Sequence, residues 1–245
     1  MNKTQILIAL VILTIFSMGA VYTNLTELID ENETLNPNPK KMKDGEVRQY
    51  TKDQRLKTIV NYDQGVKHGT SYLYHDDGET VLLAMPYVKG KREGVSEKYY
   101  QDGKLYASTS YRNDRLHGSR KLYYTSGQLK AEMNYGYGNI GIGTKEYLLD
   151  GALKKMPEIT TKTVGNIITL DTSIPCKDPT FYVGRLIEGQ FFDPVNENIR
   201  LLTMSQGKYF INIEMYTPSY LKYQDVICSC ESSQRNTIIL KKRLY

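Results

Sequence analysis

Three histidines (His68, His75, His117) and three cysteines (Cys176, Cys228, Cys230) are the residues of this 245-residue chain whose types suit acid–base, metal or redox chemistry. A histidine works as a general base when a reacting group lies within hydrogen-bond reach. His68 and His117 occupy the same place in a repeated pattern, which marks an architectural position rather than a catalytic one. Cys228 and Cys230 lie in a run that reads as a strand. Side chains at i and i+2 of a strand point the same way about 7 Å apart, which argues against a Cys-x-Cys metal or redox pair. The expectation is a disulfide from Cys176 to either Cys228 or Cys230, with one thiol left over. No Ser-His-Asp set, nucleotide-binding glycine loop or zinc signature is present. Asn134 to Gly143 is glycine-rich, but no strand-then-helix frame encloses it, so it reads as a widened last turn. The chain is therefore expected to be no enzyme, with no cofactor and no metal.

Binding chemistry is better supplied. There are 21 Tyr against 5 Phe and no Trp. Tyr72, Tyr100, Tyr106 and Tyr124 alternate with Lys98, Arg112 and Arg120, an aromatic and basic set suited to a protein or an anionic surface polymer. The net charge of +5 comes with no dense basic run, which argues against nucleic acid as a partner. With 40% hydrophobic and 24% charged residues, the composition excludes outright disorder and a polytopic membrane protein.

The elements that position these residues come from an internal repeat. Gly69, Gly94, Gly118 and Gly143 are spaced 25, 24 and 25 residues apart. Gly78, Gly103, Gly127 and Gly151 form a second series, and Tyr62, Tyr87, Tyr111 and Tyr135 a third. Tyr74, Tyr99 and Tyr123 form a fourth. Each copy holds two alternating runs; Leu105, Ala107, Thr109 and Tyr111 share one strand face, as do Leu129, Ala131, Met133 and Tyr135. Asp102-Gly103 marks a hairpin, where glycine accepts the positive φ of a tight turn. Gln54 stands at that glycine position in the first copy. The second copy runs one residue late after Gly78, as if it held a bulge. One hairpin buries too little to be stable, so successive hairpins stack into an elongated antiparallel sheet. The tyrosine series at Tyr62 then reads as core, stacked between hairpins. The half-copy Thr144 to Leu153 reads as a cap.

Tyr99-Tyr100 through Gly103 and Leu105, Tyr123-Tyr124 through Gly127 and Leu129, and the closing Lys67-His68-Gly69 and Leu116-His117-Gly118 resemble the MORN-variant repeat of bacterial proteins, typified by the YwqK-type antitoxin family. The resemblance runs from Asp44 to about Leu153. Departures are Glu93-Gly94 and Ile142-Gly143, which lack the histidine, and Gln54. The resemblance implies an open β-hairpin ribbon with a binding role, and a toxin-neutralising protein as the alternative.

Outside the repeats, Ile6 to Phe16 is apolar apart from Thr14 and follows Lys3. Residues 1–22 read as a signal peptide or a signal anchor helix; residues 5–22 would meet the membrane if uncleaved. The positive-inside rule places everything after Tyr22 outside the cytoplasm, in the cell envelope or beyond. Residues 23–43, with Asn36-Pro37-Asn38-Pro39, read as a linker. From about Pro157 the period is lost, while short β-like runs continue to Thr237–Leu240. The expected architecture is all-β: an N-terminal apolar helix, repeats over 44–155 and a small β-sandwich over 156–245. The expected function is a non-enzymatic envelope interaction module that binds a protein or surface polymer through its repeat sheet.

Overall fold

The computed structural model describes residues 43–185, 191–195, 199–202, 204–205, 208–215, 221–222 and 224–244. Residues 43–245 cluster as one compact unit. The strands of the repeat region are β1 (Gly45–Tyr50), β2 (Leu56–Asp63), β3 (Val66–Lys67), β4 (Gly69–Tyr74), β5 (Val81–Val88) and β6 (Lys91–Arg92). They continue as β7 (Gly94–Tyr99), β8 (Leu105–Arg112), β9 (Arg115–Tyr123), β10 (Leu129–Gly136), β11 (Asn139–Ile140) and β12 (Lys145–Glu146). All pair antiparallel in one 12-stranded sheet, laid down nearly in chain order.

Two kinds of turn alternate along this sheet. In the first kind, Gln54, Gly78, Gly103, Gly127 and Gly151 adopt φ values of 62, 74, 78, 88 and 85°. The N–H of each donates to the carbonyl three residues earlier, at Thr51, His75, Tyr100, Tyr124 and Leu148. Gln54 thus fills the glycine position by accepting left-handed backbone. The extra residue of the second copy lies inside this turn. Asp77 Oδ1 accepts the N–H groups of Glu79 and Thr80 and closes the longer loop. Those backbone bonds, Glu79 first, hold the Asp77 carboxyl down to about 2. The second kind of turn uses Gln64-Gly65, Lys89-Gly90, Asn113-Asp114 and Tyr137-Gly138, with positive φ at both residues. That is the I′ geometry, whose twist matches a two-residue hairpin.

The turns also join the repeats. Gly65, Gly90, Asp114 and Gly138 donate their N–H groups to the carbonyls of Lys43, Lys67, Arg92 and Leu116, one repeat back. On the other edge, the side chains of Tyr100 and Tyr124 donate to the Tyr123 and Tyr147 carbonyls one repeat ahead, at 2.7 and 2.8 Å. The repeats that carry Tyr100 and Tyr124 are therefore stitched to their neighbours at both ends of their strands.

The remaining strands are β13 (Ile159–Val164), β14 (Ile167–Thr172), β15 (Lys177–Gly184), β16 (Ile199–Leu201), β17 (Met204–Ser205), β18 (Lys208–Asn212), β19 (Asp225–Glu231) and β20 (Thr237–Arg243). They make two four-stranded sheets, β13-β14-β18-β17 and β16-β15-β19-β20. Ile159, Ile168, Leu170 and Ile211 of the first sheet share a core with Phe181, Val183, Val226, Cys228 and Ile238 of the second. Ile227, Ile239 and Ile199, on the outer side of the second sheet, pack with Phe192 and with Ile140 of the repeat region. Burial on both faces explains why Val226-Ile227-Cys228 reads as continuously apolar rather than alternating.

The expected fold class is corrected in one respect. The described chain is antiparallel β-sheet, and among the described residues no helix is long and apolar enough to cross a membrane. The expected apolar helix at residues 1–22, and the linker that follows it, lie outside the described residues.

Candidate functional site

The repeat sheet has two unlike faces, and its residues can be followed strand by strand, because residues directly opposite each other share a face. One row runs Thr58, Leu73, Leu83, Lys98, Ala107, Leu122, Ala131 and Glu146. Thr58, Ala107, Leu122, Ala131 and Glu146 in it are buried, so this is the inward face. The neighbouring row on the other face runs Arg48, Ile59, Tyr72, Ala84, Glu97, Ser108, Lys121, Glu132 and Lys145. Every member of that row is partly or fully exposed. Lys121 and Glu132 stand 3.7 Å apart in it, and Tyr99 donates its hydroxyl to Glu97 at 2.6 Å. That bond to Glu97, followed by burial, pushes the Tyr99 phenol up to about 12.

The candidate binding residues are divided by this geometry. Tyr72 lies on the outward row. Lys98 and Arg120 belong to the inward face, and Arg112 is exposed at the turn into β9. Tyr100 meets Tyr106 edge to face at 5.1 Å, and the Lys98 ammonium lies over the Tyr106 ring at 5.5 Å. Tyr100 and Tyr124 spend their hydroxyls on the next repeat, as described above, so both carry a structural task. Sequence reasoning passed over Ile59, Glu97 and Glu132. Their signal was available in the alternation that placed Leu105 and Ala107, read from the opposite parity.

The register positions have a defined structural purpose. Gly69, Gly94 and Gly118 lie directly opposite Tyr87, Tyr111 and Tyr135. Gly45 stands opposite Tyr62 in the same way, with φ 76°, and extends the first glycine series by one member. Two residues before the first three of these four glycines stands a cation that covers the tyrosine. Lys43 lies over Tyr62 at 5.1 Å, Lys67 over Tyr87 at 5.5 Å and Arg92 over Tyr111 at 4.8 Å. Gly143 keeps the positive φ of its series, at 89°, although the chain leaves the repeat there.

The glycine-rich stretch after Asn134 is a docking seat. A methyl group on Gly136 would collide with the Phe191 ring, and one on Gly141 would press on it at 3.2 Å. Beside it, the Phe192 N–H donates to the Ile140 carbonyl at 3.0 Å. Ile140 occupies the same repeat position as Lys67, Arg92 and Leu116, so Phe192 supplies the bond that a further repeat would make. At the other edge, Gln234 Nε2 reaches both the Tyr124 hydroxyl and the Tyr147 carbonyl, at 3.2 and 3.1 Å. The β19–β20 turn even copies the repeat turn: Ser232 N–H bonds to the Asn236 carbonyl, Arg235 N–H bonds back to the Ser232 carbonyl, and Arg235 has φ 62°. Under it lies Glu146, fully buried, which accepts hydrogen bonds from Ser232 and Asn236 and pairs with Lys154 at 2.8 Å. A cavity of about 410 Å³ lies along the same seam, beside Ile142, Thr144, Met156 and Leu240.

Of the residues suited to reaction chemistry, none forms a reactive set. Cys176 pairs with Cys230, with Cα atoms 5.9 Å apart. Cys228 is a free, fully buried thiol that burial pushes up to about 12. His75 Nε2 lies 3.3 Å from the Tyr99 carbonyl, and the His117 ring packs on Tyr137 at 4.9 Å. Among the described residues, no group of three or more His, Cys, Asp or Glu is placed to hold a metal ion.

Comparison with known families agrees with the geometry where the copies are best formed. Residues 92–113 and 116–136 match the MORN repeat variant. Those segments cover β7, β8 and β10 and all but the first residue of β9. The match is to the repeat, not to an antitoxin family in particular. No curated protein matches the chain. MORN-repeat regions are characteristically non-catalytic scaffolds, and this repeat region is an all-β scaffold consistent with a protein-interaction module.

Proposed function

We propose that the protein is a non-enzymatic interaction module of the cell envelope, which binds a protein partner through the outward face of its repeat sheet. The observation that carries this reading is the outward row from Arg48 to Lys145. It crosses the sheet with apolar, aromatic and alternately charged side chains, every one of them at least partly exposed. Mixed apolar and charged surface of this kind suits a protein partner, whose complementary charges set specificity while Ile59, Tyr72 and Ala84 supply buried contact. On this reading the two C-terminal sheets are the cap of the array, since they occupy both rows of repeat-to-repeat bonds at its end. The Cys176–Cys230 disulfide supports a location outside the cytoplasm, where such bonds persist.

The test is a crosslinked capture from native envelope extract with the full-length protein, alongside Tyr72→Ala and Lys121→Glu. A discrete protein retained at high salt by the wild type and lost from both variants, with thermal stability unchanged, is the expected result. Capture indifferent to both substitutions would remove the outward row from the reading. A polymer eluted by salt, with no protein, would replace the protein partner by an anionic surface polymer.

A further inference from the structure

Among the described residues, the repeat sheet is closed at one end and open at the other. At the C-terminal end, Phe192 and Gln234 fill the bonding positions of a further repeat. At the other end β1 is the terminal strand of the 12-stranded sheet, and among the described residues no strand pairs with its outer side. A sheet edge of this kind presents a line of backbone donors and acceptors to another strand.

We infer that β1 pairs with β1 of a second copy of this chain, antiparallel about a two-fold axis at Val47, so that two repeat sheets run on as one. The side-chain pattern selects this partner and this register. Glu46 and Arg48 lie on the outward face, and Val47 and Gln49 on the other. With the axis at Val47, Glu46 of each copy faces Arg48 of the other, Val47 faces Val47, and Gly45 faces Gln49. A slip by two residues in one direction sets Glu46 against Glu46, and in the other Arg48 against Arg48. A slip by one residue places the apolar side of one copy beside the charged side of the other. The Val47-centred arrangement is the one among these that opposes unlike charges.

The charges are available for it. Glu46 and Arg48 are 45% and 54% exposed and bond only along their own strand, at 2.7 Å, on the described surface. Both can turn outward to a neighbour without breaking a core contact. Direct cross-strand ion pairs favour pairing and like charges directly opposite disfavour it. An interface of two short edge strands is small, so association is reversible and depends on concentration.

The test uses the full-length protein and two charge reversals, Glu46→Arg and Arg48→Glu, followed by sedimentation at low salt. Wild type is expected to dimerise as concentration rises, and each single variant to remain monomeric with an unchanged circular dichroism spectrum. An equimolar mixture of the two variants is expected to dimerise again, because every reversed charge then meets its opposite. A second measurement is oxidative crosslinking of Val47→Cys, expected to outpace Gln49→Cys because only position 47 faces itself across the axis. A wild type that stays monomeric overturns the inference, as does a mixture that fails to recover dimer or a Val47→Cys variant that crosslinks no faster than Gln49→Cys. The outward-row variants Tyr72→Ala and Lys121→Glu are expected to dimerise normally, which keeps this result separate from partner capture.

Discussion

Gly94 and Tyr111 stand directly opposite each other on β7 and β8, and the same relationship joins Gly45 to Tyr62, Gly69 to Tyr87 and Gly118 to Tyr135. The glycine contributes a backbone conformation forbidden to most residues at the position opposite the ring. Its φ of 104° at Gly94 lies well inside the positive region, and Tyr111 is only 9% exposed. The Arg92 guanidinium covers the ring from the preceding repeat, so one short motif couples turn geometry, packing and charge.

Gly94→Ala should therefore destabilise the protein by about 1–3 kcal/mol, because a non-glycine residue at positive φ is strained. The new methyl would also meet Pro86 at 3.4 Å. Gly127→Ala, with nothing within 4 Å and φ 88°, should incur the backbone strain alone. Urea unfolding midpoints measured on both variants check the ordering.

Tyr124→Phe removes a hydroxyl that donates to the Tyr147 carbonyl and accepts from Gln234. A loss of about 0.5–1.5 kcal/mol is expected for such a bond. Gln234→Ala should be partly redundant with it, so the double variant should fall short of the sum. A double-mutant cycle in chemical denaturation measures the coupling; strict additivity would separate the two side chains.

Glu146→Ala should be more damaging, at about 1–3 kcal/mol for each buried donor left without an acceptor, because Ser232 and Asn236 are buried with it. Ser232 and Asn236 would lose this acceptor, and Lys154 would keep only Ser233 Oγ. Limited proteolysis should then release the C-terminal sheets from the repeats, whereas Lys121→Glu on the outward row should leave the digestion pattern unchanged.

Gly136→Ala should displace Phe191 and unseat the Phe192 N–H from Ile140. Hydrogen exchange at Phe192 should accelerate at least as much as exchange in the sheet core. Protection retained at Phe192 would mean that the ring is not held by the glycine seat.

Cys228 gives a pH dependence with a defined sign. Its thiol is raised from an ordinary 9.0 to about 12 by burial, so the folded state holds the proton more tightly than the unfolded chain. The resulting stability is complete below pH 9 and is lost progressively as pH rises toward 12. Alkylation of the native protein at pH 8 should leave Cys228 unmodified, with labelling appearing only after denaturation. Reduction of Cys176–Cys230 beforehand should lower stability by about 2–4 kcal/mol.

The sequence alone determined the repeat, since its period, its glycines and its alternation are local properties that each copy states independently. Leu105, Ala107 and Tyr111 could be put on one face because a strand has a period of two residues and nothing distant alters that. Gly45 escaped for a simple reason: it stands before the first complete copy, and its tyrosine partner is a strand away. The type I′ turns at Lys89-Gly90 and Asn113-Asp114 escaped because the first residue of each of the four turns is not glycine, and Asn113-Asp114 has no glycine at either position. Only the tertiary structure decided what the C-terminal sheets do. Phe191 and Gly136, Gln234 and Tyr124, and Ser232 and Glu146 are separated by 55 to 110 residues in the chain. No periodicity announces contacts made between unlike elements at that distance. The roles of Tyr100 and Tyr124 were decided in the same way. A tyrosine beside a turn looks alike in sequence whether its hydroxyl meets solvent or the backbone of the next repeat, and the stacking distance between hairpins settles which.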